Sequence, residues 1–283
     1  MNHTVQHPCL PFLSSCSRFR VHQVPAAQDN LIWLIEYNEG HVAAVDGPSA
    51  KEVLQYCNEN NLTLDTIINT HTHGDHIGIN RDLARKGLLG NMRVIGAKVR
   101  QQDIPGITEM VEDEDVVTLG TIQGVAMRTD GHINGHISYL FSDVLFCGDT
   151  LFTGGCGYLF DGPPQKMYES LSRLRDLDPS TKVCCAHEYT IDNLRFALSI
   201  EPSNLILQKR YEEGCKIRNA GGTLVPSTME LERQTNPFLR WEQREIIESL
   251  QKQLPNSSVN TSDEIFAATR ACKDSKRYRE FYL

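Results

Sequence analysis

The stretch Thr70-His71-Thr72-His73-Gly74-Asp75-His76 constrains this 283-residue chain more than any other. It follows an apolar, β-like run over 64–70 and precedes a helical pattern beginning near His76, so it reads as a strand-to-helix loop. In an extended segment His71 and His73 point the same way, roughly 6.6 Å apart at about 3.3 Å per residue, and both can turn to one ion. Gly74 lets the chain bend, so Asp75 and His76 can face a second ion close by. A lone histidine pair would read as polar surface. His-x-His-x-Asp-His placed directly after an apolar strand does not.

The other candidate ligands also fall at strand ends. Runs over 30–36 and 41–46 form a hairpin, and Ser49 with Glu52 three residues on reads as a capping box opening a helix through Val53, Leu54 and Cys57. Short β-like runs over 93–97, 116–119 and 125–129 lead to His132 and His136. An apolar hairpin over 137–146 ends in Cys147-Gly148-Asp149-Thr150, and the strand over 182–186 ends in His187. Such positions are where catalytic groups usually sit. Asp46, also at a strand end, just before Gly47-Pro48, is left out of the candidates. Pro163-Pro164 open a helix whose Met167, Leu171, Leu174 and Leu177 form a core stripe. Beyond Asp192 helical patterns cover 192–201, 204–219, 241–254 and 263–272 with no further strand, which predicts an α/β domain followed by a smaller helical one.

Composition narrows the function classes. A net charge of −8 argues against nucleic acid and anionic membranes as partners. No apolar run approaches the roughly 18 residues of a membrane span, so a soluble protein is expected. Nine cysteines, without metal-ribbon spacing and with Cys184-Cys185 adjacent in an apolar strand, point to a reducing compartment, hence a cytoplasmic location. Residues 1–18 carry no acidic side chain and no apolar signal core. They read as a disordered extension, with organelle targeting left open.

The 70–76 run resembles the signature of the metallo-β-lactamase superfamily, which implies an αββα sandwich. The resemblance implies His71, His73 and His132 as ligands of one divalent metal and Asp75, His76 and His187 as ligands of a second. Asp149 would bridge them, and Asp75 and Asp149 would serve catalysis. Zinc is the expected metal, with iron and manganese open. Gly131-His132 matches the motif, so His132 is preferred to His136.

Gly-His-Ile-Asn-Gly-His-Ile-Ser-Tyr (131–139), Gly-Asp-Thr-Leu-Phe-Thr-Gly-Gly-Cys-Gly (148–157) and His-Glu-Tyr-Thr (187–190) narrow the resemblance to the hydroxyacylglutathione hydrolase (glyoxalase II) family, from about Val21 onward. That likeness implies a catalytic domain over 19–190 and a helical substrate-binding domain over 191–283. It implies hydrolysis of S-D-lactoylglutathione to a 2-hydroxy acid and glutathione by a metal-bridged hydroxide, a step of methylglyoxal detoxification. Tyr158, Phe160, Tyr189, Arg270 and Lys273 would hold the substrate. Arg270 and Lys273 lie three apart on a helix, in a C-terminal stretch of net charge +3 over 269–283. One departure stands out: after Cys156-Gly157 the family often has a basic residue, then an aromatic two positions later, whereas this chain has Tyr158-Leu159-Phe160. The expected partner is the glutathione thioester alone, bound by a monomer. A persulfide dioxygenase of the same superfamily, using one iron, is the alternative; a full second ligand set favours the hydrolase.

Overall fold

Side-chain alternation along the strands sets the layers. The computed structural model describes residues 3–280. One sheet is ordered β1 (Phe12–Leu13), β2 (Arg20–Ala26), β3 (Asn30–Asn38), β4 (His41–Val45), β5 (Thr63–Ile68), β6 (Arg93–Ala97), β7 (Glu109–Val111). It is antiparallel through β4 and parallel from β4 to β7. The second sheet carries β8 (Val116–Leu119), β9 (Ile122–Arg128), β10 (Ile137–Phe141) and β11 (Val144–Gly148). Next in the chain comes a separate small hairpin, β12 (Leu151–Phe152) and β13 (Gly155–Cys156). β14 (Lys182–Cys185) and β15 (Ser227–Thr228) complete the second sheet beside β11.

On β3, Leu31, Trp33 and Ile35 point into the cluster between the sheets. The alternate residues Ile32 and Leu34 point to the outer cluster, where α1 (Ala50–Glu59) and α2 (Gly78–Arg85) cover the sheet with Ala50, Val53, Ile79 and Leu83. Ser49 caps α1 through Lys51 N, as expected, while Glu52 takes the Ser49 hydroxyl rather than a backbone N–H. The reciprocal capping box forms instead between Thr261 and Glu264.

α3 (Pro164–Arg175) buries Met167, Leu171 and Leu174. α4 (Thr190–Ile200), α5 (Leu205–Asn219), α6 (Met229–Thr235), α7 (Arg244–Gln253) and α8 (Ser262–Asp274) follow. Phe196, Phe238 and Phe266 from this helical part join the cluster that fills the space between the sheets. The expectation of no strand beyond Asp192 is corrected by β15, a two-residue strand that pairs antiparallel with β14. So short a strand has too few residues to show alternation.

The disordered extension expected over residues 1–18 is corrected for residues 3–18. Val5 is buried, β1 pairs with β2, and Gln6 and His7 N–H both donate to Gly221 O at 2.9 Å. The segment adds the edge strand β1 beside β2 and is tied to the Gly221 carbonyl far away in sequence, a contact local composition does not display. Met1 and Asn2 lie outside the described residues.

Candidate metal centre

The four loops that follow β5, β9, β11 and β14 meet at one end of the sandwich, bringing together residues from 71 to 187. Two close approaches make this possible. Gly148 has φ +47°, and a Cβ there would lie 2.3 Å from Thr70 Oγ1 and 2.7 Å from His136 Nε2. Gly131 lets α3 pack on the His132 loop, since a Cβ would meet Met167 Cα at 2.6 Å. Across the sheets, Leu31 N–H donates to Ala186 O and Glu188 N–H to Asp29 O, which fixes the His187 loop against the start of β3.

His71, His73, His132 and Asp149 form one ligand group, and Asp75, His76 and His187 a second. In the first, His73 Nδ1 lies 3.1 Å from His71 Nε2 and 2.9 Å from His132 Nε2. In the second, His187 Nε2 lies 3.4 Å from both His76 Nε2 and Asp75 Oδ2. Asp149 reaches both: Oδ2 is 3.4 Å from His132 Nε2, and Oδ1 is 3.4 Å from His187 Nε2 and 3.5 Å from His76 Nε2.

Outer hydrogen bonds assign the tautomers. Nδ1 of His132 donates to Tyr158 O at 2.7 Å, Nδ1 of His76 to Asp46 at 2.9 Å, and Nδ1 of His187 to Asp29 at 2.8 Å. Each Nε2 lone pair therefore faces inward. Converging lone pairs and a buried Asp149 Oδ1 with no hydrogen-bond partner among the described residues are a donor set for cations. Burial pushes His71 well below the usual histidine range, which keeps it a neutral ligand. Burial opposes charge on His187 as well, but Asp149 and Asp29 outweigh it and pull the imidazole up to about 9, the mark of a negative focus that attracts positive charge. The residues fit a divalent metal site.

His136 is buried outside both groups. Its Nε2 accepts from Asp149 N–H at 3.2 Å and its Nδ1 lies 3.0 Å from Thr129 Oγ1, a supporting role. Sequence reasoning missed Asp29 and passed over Asp46, both of which orient metal-facing histidines. Asp46 had a signal, its strand end before Gly47-Pro48; Asp29 had none.

Beside the centre lies a cavity of about 410 Å³ lined by Tyr158, Tyr189, Asn193, Arg270 and Lys273. Arg270 and Lys273 on α8 share it, as their spacing predicts. Asp274 and the Cys156 carbonyl hold the buried Arg270 guanidinium. Lys273 Nζ donates to Asn193 Oδ1 at 2.5 Å, and burial, followed by the charge of Arg270, pushes it down to about 7. The Tyr189 ring stacks on His187 with centroids 4.9 Å apart. Its hydroxyl donates to Asp29 at 3.3 Å, and the ring lines the cavity. Phe160 does not line this cavity; it is exposed and sets its ring edge against His73 and His132, at 5.3 and 5.2 Å.

Comparison with known proteins agrees with this layout. The family model described as metallo-beta-lactamase superfamily matches residues 30–187, and that described as hydroxyacylglutathione hydrolase C-terminus matches residues 188–276. A protein named hydroxyacylglutathione hydrolase from Synechococcus sp. (strain ATCC 27144) is 42% identical over 83% of this chain and 94% of its own length. Another so named, from Photobacterium profundum, is 43% identical over 90% of this chain and 98% of its own length. Among solved structures, the BLEG-1 B3 metallo-beta-lactamase matches with a TM-score of 0.58 at 20% identity, over 78% of this chain and 99% of its own. ETHE1 from Myxococcus xanthus matches at 0.57 and 24% identity, over 89% and 98%. These two show the fold.

Proposed function

The chain belongs to the hydroxyacylglutathione hydrolases of the metallo-β-lactamase superfamily, and on that premise we propose that it hydrolyses the thioester of S-(2-hydroxyacyl)glutathione, chiefly S-D-lactoylglutathione, to a 2-hydroxy acid and glutathione. The observation that carries the proposal is the adjacency of a two-group ligand cluster to a cavity floored by Arg270 and Lys273.

In this reading His71, His73 and His132 would hold one divalent ion and Asp75, His76 and His187 a second, with Asp149 within reach of both groups; zinc would suit the set, with iron or manganese as alternatives. Such ions supply an acidified water and an electrophilic pull on a carbonyl oxygen. The chain does the rest. Arg270 and Lys273 bind the glycine carboxylate of the glutathione moiety through charge-assisted hydrogen bonds, and so place the thioester over the cluster. Tyr158 and the face of Tyr189 wall the cavity, where Tyr158 replaces a basic side chain with a ring. Phe160 shields His73 and His132 from bulk water. The departing thiol has an ordinary pKa near 8.5, so it leaves as thiolate without a dedicated acid.

The enzyme acts as a monomer in the cytoplasm on this reading, and no helix is long and apolar enough to cross a membrane among the described residues. The test is loss of thioester absorbance from S-D-lactoylglutathione with metal-replete protein, His73→Ala as control, and oxygen uptake on glutathione persulfide in parallel. Hydrolysis abolished by the substitution supports the proposal. Oxygen uptake without hydrolysis would move the assignment to a dioxygenase.

A further inference from the structure

The cavity beside the metal cluster has a wall that neither the sheets nor the C-terminal helices supply. His3 lines it together with Tyr189, Arg270 and Lys273, although residue 3 precedes the matched region over 30–187. The segment is fixed there from several sides. Gln6 and His7 N–H donate to Gly221 O, the His3 carbonyl accepts from Arg218 at 2.9 Å, and Val5 is buried. The His3 ring meets the Tyr189 ring edge-on, with centroids 5.5 Å apart, and Tyr189 in turn stacks on His187. Three rings thus run from the metal cluster to the N-terminal segment.

One ring nitrogen is spent on this placement. His3 Nδ1 lies 3.1 Å from Glu188 O, and a carbonyl only accepts, so Nδ1 carries the proton. Nε2 of the neutral ring is then an acceptor, on a half-buried side chain, with no hydrogen-bond partner among the described residues. The rest of the wall offers little of that kind. Arg270, Lys273, Lys276 and Arg279 stand against one carboxylate, Asp192, whose Oδ2 already accepts from the Tyr278 hydroxyl and from Arg279.

Charge sorts the substrate along these groups. With the glycine carboxylate on Arg270 and Lys273 and the acyl carbon over the cluster, the γ-glutamyl end remains to be placed, and it carries an ammonium. A cationic wall repels that group, whereas an imidazole acceptor binds it through a charge-assisted hydrogen bond. We infer that His3 is a specificity residue of the substrate cavity: its Nε2 accepts from the γ-glutamyl ammonium, so the N-terminal segment helps choose the thiol whose esters are cleaved. The inference rests on the hydrolase reading above and adds to it a contact from outside the matched catalytic region.

The test compares full-length, metal-loaded protein on S-D-lactoylglutathione and on the D-lactoyl thioester of N-acetylcysteinylglycine, which keeps the glycine carboxylate and lacks the γ-glutamyl group. His3→Asn keeps a donor for Glu188 O and removes Nε2. The wild-type preference for the glutathione thioester, read as the ratio of the two kcat/KM values, should fall by about three- to tenfold in this variant, the worth of one hydrogen bond, and the loss should lie in KM rather than kcat. His3→Ala should narrow the preference to the same degree. An unchanged preference in His3→Asn overturns the inference, as does an equal loss on both thioesters or a loss confined to His3→Ala, since His3 would then only brace Glu188. No hydrolysis of either thioester by the wild-type protein would overturn the hydrolase reading itself, and this inference with it.

Discussion

Asp46 Oδ2 lies 2.9 Å from Nδ1 of His76, and both side chains are buried. The same carboxylate accepts from Thr70 N–H at 2.8 Å and from the Thr70 hydroxyl at 2.6 Å, so one residue at the end of β4 sets both the tautomer of a metal-facing histidine and the start of the ligand loop. Asp46 adopts φ +55°, a conformation that asparagine tolerates. Asp46→Asn should therefore keep the backbone and weaken metal affinity at the His76 group by roughly 10–100-fold. Competition with a chromogenic chelator measures this, and unchanged affinity would show that Asp46 only braces the loop.

On the proposed function, Arg270 and Lys273 serve binding more than the chemical step, since both line the cavity beside the ligand cluster and belong to neither of its groups. Arg270→Gln should raise KM for a glutathione thioester by about 10–100-fold, the equivalent of one charge-assisted hydrogen bond of roughly 1.5–3 kcal/mol, with kcat changed much less. Steady-state kinetics that show the loss mainly in kcat would contradict this assignment.

Lys273 gives the binding step a pH dependence. Burial and Arg270 hold its pKa at about 7 against an ordinary 10.5, so the free enzyme loses this cation as pH rises through 7. An anionic substrate needs the charged form, and kcat/KM should fall towards tenfold per pH unit above 7. Lys273→Met should flatten that limb of the profile. Linkage gives the opposite sign for stability: between about 7 and 10.5 the unfolded chain binds a proton that the folded protein does not, so this residue makes stability rise with pH over that window.

Glu232 ties the helical part to the sheets. Its buried carboxylate accepts from Gly154 N–H beside the metal end, from Asn236 and Ser227, and from the Arg210 guanidinium. Removing one partner of a buried ion pair leaves the other charge uncompensated, so Glu232→Ala should cost about 3–5 kcal/mol. Urea denaturation of metal-loaded protein reads the loss, and a cost under 1 kcal/mol would mean that Arg210 finds another acceptor.

Much of the centre was legible because its logic is local. His71 and His73 share a side of an extended segment, and His132, Asp149 and His187 each follow an apolar run, so strand periodicity places each at a strand end, while their grouping came from the family resemblance. The core stripe of α3 was visible through Met167, Leu171 and Leu174, while Leu177, expected on it, lies beyond the helix end and is partly buried. Phe160 and the Tyr189 hydroxyl were less so, because a residue's place in a loop is fixed by what the loop packs against. The segment over residues 3–18 was misread for the same reason: Gln6 and His7 are held by the Gly221 carbonyl, distant in sequence.

The sequence by itself determined the ligand types, their order, and their position at strand ends, because alternation and turn chemistry act over a few residues. Tertiary structure alone decided that Asp29 and Asp46 orient His187 and His76, and that Asp149 reaches both ligand groups. These pairings join elements that meet only when two sheets pack face to face, and their hydrogen bonds depend on ångström-scale placement that no local pattern encodes.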